Sequence, residues 1–135
     1  MGTKFTKLTH AVLSLTAILF GLLTIIAGTR VLTGNNPGYI VFQPLLVYNV
    51  LMGIVYVITG IIAWRNPGKG KHLAAIILIL NVFVLGAIGY LYTTGSAVAS
   101  ESLAAMVFRS LLWLVLFSGL AWVSRQANRF TGTAA

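Results

Sequence analysis

Four long apolar stretches limit what this chain can fold into. They cover approximately residues 11–27, 44–64, 73–92 and 103–123. A helix that crosses a bilayer needs about 20 predominantly apolar residues (~17–25), and each stretch reaches or approaches that length. Because 59% of the residues are hydrophobic and 7% are charged, a water-soluble fold would have no polar surface. The sequence therefore predicts an all-α integral membrane protein, with one domain that forms a compact bundle of four transmembrane helices.

Positive charge is concentrated on one side of this predicted bundle. That side holds both chain termini and the connection between the second and third spans, with seven basic residues: Lys4, Lys7, Arg65, Lys69, Lys71, Arg125 and Arg129. The opposite side holds only Arg30 and the sole acidic residue, Glu101. Because cytoplasmic loops are enriched in Lys and Arg, we expect both termini, the basic lead 1–9 and the polar tail 127–135 in the cytoplasm.

The formal charge of +8 would favour nucleic acid as a partner if the chain were soluble. Membrane topology accounts for this charge here, so we expect membrane lipids as partners and no nucleic acid. The strong charge bias and the absence of an organelle-targeting presequence favour a bacterial inner (cytoplasmic) membrane.

Glycine pairs are spaced to share helix faces. In the first two spans the members of a pair are seven residues apart, and a third pair lies in the third span: Gly21 and Gly28, Gly53 and Gly60, Gly86 and Gly89. Small residues on one face let transmembrane helices approach closely. We therefore expect all six glycines to serve helix packing, and the first and second spans to pack against each other.

The fourth span carries a charge, Arg109, about six residues from its outer end, or roughly 9 Å deep. A charge near the centre of a membrane helix costs at least ~2.5–3.5 kcal/mol, so this arginine needs compensation. Asn49 lies at a similar depth in the second span, and Glu101 lies two helical turns above Arg109 on nearly the same face. These residues are candidates for one polar site in the outer half of the membrane.

Three interpretations of Arg109 remain open. It can be structural, bonding to Asn49, to backbone carbonyls or through water to Glu101. It can contact an acidic group of another subunit, or it can bind an anionic or carbonyl-bearing ligand such as a lipid headgroup, a quinone or a transported anion. Snorkelling of its side chain to the outer surface is a further alternative.

Three other residues are candidate ligand or partner contacts. Trp113 follows Arg109 by one helical turn and can offer its ring to the guanidinium. Arg30 can extend to the outer headgroups. Asn81, near the middle of the third span, is expected to hydrogen-bond across helices.

Several function classes are excluded by what the sequence lacks. It has no cysteine and one acidic residue, and its two histidines, His10 and His72, lie at the cytoplasmic boundary. An enzyme needs an acid, a base or a nucleophile with a partner. We therefore expect no catalytic site, no metal site and no cofactor.

Three non-catalytic functions remain. The sequence favours an accessory or stabilising subunit of a larger membrane complex, with other integral membrane subunits or further copies of itself as partners. The first alternative is a small homo-oligomeric channel or carrier for an anionic or small polar solute. The second is a lipid- or quinone-binding membrane protein.

Overall fold

Four long helices make up most of the chain in the computed structural model, which describes residues 2–34, 38, 42–95 and 98–130. They are, in order, α1 to α4: Gly2–Leu32, Gln43–Arg65, Pro67–Thr93 and Ser100–Phe130. All four are long and apolar enough to cross a membrane, which suggests a membrane protein. The all-helical fold expected from the sequence is confirmed, and the helices are consistent with a four-helix bundle.

The helices extend beyond the predicted spans at both chain ends. α1 includes residues 2–9, the predicted polar lead, because no proline or internal glycine interrupts the helix there. α4 continues to Phe130 and so includes residues 127–130 of the predicted tail. Residues 131–135 of that tail lie outside the described residues.

A one-residue connection joins α2 to α3. Asn66 ends α2 in an extended conformation, and its side-chain oxygen accepts hydrogen bonds from the backbone N–H groups of Gly68 (3.0 Å) and Lys69 (3.2 Å). Pro67 occupies the first turn of α3, where its missing N–H group costs no helical hydrogen bond. This tight turn makes α2 and α3 antiparallel neighbours.

The glycines of α1 and α2 bring these two helices close together. A Cβ atom added at Gly21 would lie 2.7 Å from the carbonyl oxygen of Gly53, and one added at Gly60 would lie 2.9 Å from that of Ser14. Towards the other end, Gly28 faces Val50. Residue numbers rise along α1 while they fall along α2, so the pair is antiparallel, with backbones in contact.

The helices form a ring in chain order. The most extensive interfaces are α1–α2 and α3–α4, and the smaller α2–α3 and α1–α4 interfaces complete the ring. Inside it, Tyr56, Trp113 and Met106 are completely buried. The outer faces carry large apolar side chains, such as Phe83, which is 75% exposed. We call the end with the α1–α2 and α3–α4 connections the loop end, and the end with Gly2 and Asn66 the terminal end.

Candidate functional site

An arginine-lined cavity lies between α1, α2 and α4 towards the loop end. Its volume is about 230 Å³. The lining residues are Thr24, Ala27, Gly28 and Val31 of α1, Leu46 and Asn49 of α2, and Ser102, Ala105 and Arg109 of α4. A single buried water needs only ~10–15 Å³, so the cavity can hold a larger polar group.

Helical periodicity and small side chains create this cavity. Apart from the adjacent Ala27 and Gly28, neighbouring lining residues of each helix are three or four positions apart and therefore share one helix face. Ala105 leaves space that a longer side chain would fill, and Gly28 contributes no side chain to the lining. The cavity opens at the protein surface, since Ala27 is exposed and Arg109 is only half-buried.

Arg109 projects from α4, nine residues after the start of the helix, or about 14 Å along its axis. Its guanidinium carbon lies 6.0 Å from the centroid of the Phe20 ring on α1, which is within cation–π distance. The structure places Trp113, the ring expected from the sequence to take this role, against Tyr56 with a centroid distance of 4.9 Å. Sequence reasoning did not single out Phe20.

Asn49 contributes the second polar group of the cavity. The side chain is half-buried, but its Oδ1 atom is fully buried and has no hydrogen-bond partner among the described residues. Asn49 and Arg109 therefore line one cavity without a hydrogen bond from the guanidinium to Oδ1. The structural interpretation of Arg109 includes a hydrogen bond to Asn49, and the described residues do not form a bond from the guanidinium to this oxygen.

A buried polar cluster lies beside the cavity. Asn81 of α3 is 0% exposed, and its Oδ1 atom accepts hydrogen bonds from the hydroxyls of Tyr48 (2.8 Å) and Tyr56 (3.3 Å) on α2. The Tyr56 ring stacks on Phe20 with a centroid distance of 5.6 Å. Phe20 therefore connects this cluster to the guanidinium of Arg109. The eight-residue spacing of Tyr48 and Tyr56, which places both on one helix face, is the sequence signal that could have identified the pair.

Two other candidate residues lie at the loop end but outside the lining of the cavity. Glu101 is exposed and accepts a hydrogen bond from the Ser100 hydroxyl at 3.3 Å. Arg30 is exposed near the end of α1. Neither is among the residues that line the cavity.

The last glycine pair faces outward from α3. A Cβ atom added at Gly86 or Gly89 would have no neighbour within 4 Å among the described residues. The packing expected of this pair is therefore not made inside the described bundle, and its assignment to helix packing stays a prediction that needs another molecule.

The histidines lie away from the cavity. At the terminal end, His10 of α1 forms a hydrogen bond between its Nε2 atom and the backbone carbonyl of Ala63 on α2. His72 is exposed near the start of α3. Within residues 2–34, 38, 42–95 and 98–130, no group of three or more His, Cys, Asp or Glu side chains is placed to hold a metal ion.

In comparisons with known proteins, no family model, no curated protein and no solved structure matches this chain.

Proposed function

We propose that this protein is a non-catalytic membrane protein that binds an anionic amphiphile in the cavity between α1, α2 and α4. The observation that carries the proposal is the position of Arg109, whose cationic side chain lines a 230 Å³ cavity together with Asn49. An amphiphile suits this position because a polar group can enter the cavity while its tail lies against the apolar outer faces of the helices.

Electrostatics favours an anion as the ligand. A charge inside a membrane is costly unless other groups compensate it. The face of the Phe20 ring offers partial compensation, which is worth ~0.5–2 kcal/mol. The sequence holds nine basic residues and one acidic residue, and that acid is outside the cavity lining. An anionic ligand would place negative charge next to the guanidinium, and Arg binds carboxylates and phosphates with two parallel hydrogen bonds.

The same proposal includes an orientation in the membrane. The terminal end carries most of the positive charge, and the cavity lies towards the opposite, loop end. By the positive-inside rule, both termini then lie in the cytoplasm of a bacterial inner membrane, and the cavity lies in the outer half.

A second candidate function is an accessory subunit of a larger membrane complex. The face of α3 with Gly86 and Gly89 favours it, because no side chain of the described bundle fills the space next to these glycines. Small residues on such a face allow another transmembrane helix to approach. Co-purification of a larger membrane protein at fixed stoichiometry would support this candidate.

Lipid analysis of the purified protein tests the main proposal. We expect native mass spectrometry of the full chain, extracted in mild detergent, to detect a bound anionic lipid at about one per chain. Arg109→Leu should lose it, whereas Arg30→Leu should keep it, because Arg30 is an exposed arginine at the same end of the bundle and outside the cavity lining. Equal lipid retention by both variants would contradict the proposal.

A further inference from the structure

The polar atoms that a ligand can reach in the cavity are mainly hydrogen-bond donors. The guanidinium of Arg109 has five N–H donors and no acceptor. The Oδ1 atom of Asn49 is buried although the side chain is only half-buried, which leaves its Nδ2 group as the polar part that faces the cavity. The hydroxyls of Thr24 and Ser102, which also line the cavity, can donate or accept.

The orientation of Asn49 itself points to a strong acceptor in the cavity. The buried Oδ1 atom makes no hydrogen bond among the described residues, and the Nδ2 group is the part of this amide that can donate a hydrogen bond to a ligand. Hydrogen bonds to an ionised acceptor are shorter and about twice as strong as those between neutral groups. An anionic oxygen within reach of both Nδ2 and the Arg109 guanidinium provides such an acceptor.

The donors surround the cavity from three helices. Thr24 lies on α1, Asn49 on α2, and Ser102 and Arg109 on α4. A quinone carbonyl offers one uncharged acceptor, and a carboxylate offers two oxygens in one plane. A phosphate ester offers tetrahedrally arranged oxygens, which can accept from several directions at once.

We propose that the group bound in this cavity is a phosphate ester, held by the Arg109 guanidinium and the Asn49 Nδ2 group. This inference depends on the function proposed above and narrows it from anionic amphiphiles to phosphate-bearing ones. Either a phospholipid headgroup or a soluble phosphate ester presents this chemistry. The apolar surface around the cavity favours the phospholipid, and the experiment distinguishes the two sources.

The test compares three probes on the full-length protein in detergent micelles. Phosphatidylglycerol carries a phosphodiester, oleate carries a carboxylate of the same charge, and glycerol 3-phosphate carries a phosphate without acyl chains. Titration followed by native mass spectrometry gives the dissociation constants. We expect phosphatidylglycerol to bind about tenfold more tightly than oleate, a ratio close to the lower end of the contribution of one hydrogen bond to a charged group, and glycerol 3-phosphate to bind weakly.

Variants at Asn49 test the donor role directly. Asn49→Asp replaces the donor with a negative group of nearly the same shape, and it should weaken phosphatidylglycerol binding by at least about tenfold. Asn66→Asp is the matched control, because it makes the same change at an exposed helix cap where Asp serves as well as Asn. If Asn49→Asp fails to give a monodisperse helical protein, Asn49→Leu replaces it, with loss of the preference for phosphatidylglycerol over oleate as the expected result.

The outcomes separate the two proposals. Equal binding of phosphatidylglycerol and oleate, both lost in Arg109→Leu, would overturn the phosphate inference and support anion binding. Binding of glycerol 3-phosphate as tight as that of the lipid, with the same dependence on Asn49, would support the phosphate inference. It would overturn the proposal that the ligand is an amphiphile. Absence of binding by all three probes would overturn both.

Discussion

The guanidinium of Arg109 on α4 lies over the ring of Phe20 on α1, with 6.0 Å between the guanidinium carbon and the ring centroid. The same ring stacks on Tyr56 of α2 at 5.6 Å and contacts Phe108 of α4 at 5.9 Å. One side chain therefore connects the charge of the cavity to the buried core, across the small α1–α4 interface.

The contact between Phe20 and Arg109 should be measurable as a coupling. A double-mutant cycle with Phe20→Leu and Arg109→Leu should give a coupling free energy of ~0.5–2 kcal/mol in unfolding. Each single variant loses the cation–π interaction, and the double variant cannot lose it a second time. Unfolding in mixed micelles, followed by circular dichroism, is the measurement. Additive effects within ~0.3 kcal/mol would show that the ring does not stabilise the charge.

Alanine at Gly21 should destabilise the bundle, whereas alanine at Gly89 should not. A Cβ atom at Gly21 would lie 2.7 Å from the Gly53 carbonyl oxygen, so α1 and α2 must move apart at a cost of ~1–3 kcal/mol. Gly89 has open space at that position, and its replacement should stabilise the helix by up to ~1 kcal/mol.

The two glycine variants are compared by unfolding in the same micelles. If Gly21→Ala were as stable as the unsubstituted protein, the close approach of α1 and α2 would be wrong. If Gly89→Ala kept its stability but lost a co-purifying membrane protein, the accessory-subunit candidate would gain support.

Removing the shared acceptor of the polar cluster should cost more than removing one donor. Tyr48→Phe deletes one hydrogen bond and should cost ~0.5–1.5 kcal/mol of unfolding free energy. Asn81→Leu leaves the hydroxyls of Tyr48 and Tyr56 without their acceptor and removes the Nδ2 group, which is itself buried without a partner among the described residues, so it should cost ~1–3 kcal/mol. The triple variant Tyr48→Phe, Tyr56→Phe, Asn81→Leu has neither hydroxyl and should recover part of the stability that Asn81→Leu loses. If it is no more stable than Asn81→Leu, the network does not stabilise the core.

The cap at Asn66 gives a prediction far from the cavity. Asn66→Ala removes the acceptor for two backbone N–H groups at the start of α3 and should cost ~0.5–2 kcal/mol, whereas Asn66→Asp should be nearly neutral. Lipid binding should not change in either variant, because Asn66 lies at the terminal end. Weaker lipid binding by Asn66→Ala would show that the two ends of the bundle are coupled.

The four helices could be predicted from the sequence because apolar stretches of this length have few alternatives. The helix ends could not, since hydropathy marks the apolar part of a helix, and α1 and α4 continue into polar residues without a residue that breaks them. The approach of Gly21 to Gly53 follows from a spacing visible in the sequence, whereas the outward position of Gly86 depends on how α3 is rotated in the ring.

The site could be predicted less completely. The sequence places Arg109 and Asn49 at a similar depth, but depth does not determine which helix faces meet. The rotation of α1 about its axis decides whether Thr24 lines the cavity and whether the Phe20 ring faces Arg109. That rotation is set by the packing of α1 on α2. Trp113 satisfies the helical spacing for a contact with Arg109, yet its ring lies in the core against Tyr56, because a buried indole fills the bundle centre.

The most direct test of the central claim is a density map of the protein in a lipid bilayer containing phosphatidylglycerol, at a resolution that shows side chains. We predict headgroup density between α1, α2 and α4, in contact with the Arg109 guanidinium. A map with Arg109 extended to bulk water or to the headgroups of the surrounding bilayer, and with only water in the cavity, would contradict the proposed function.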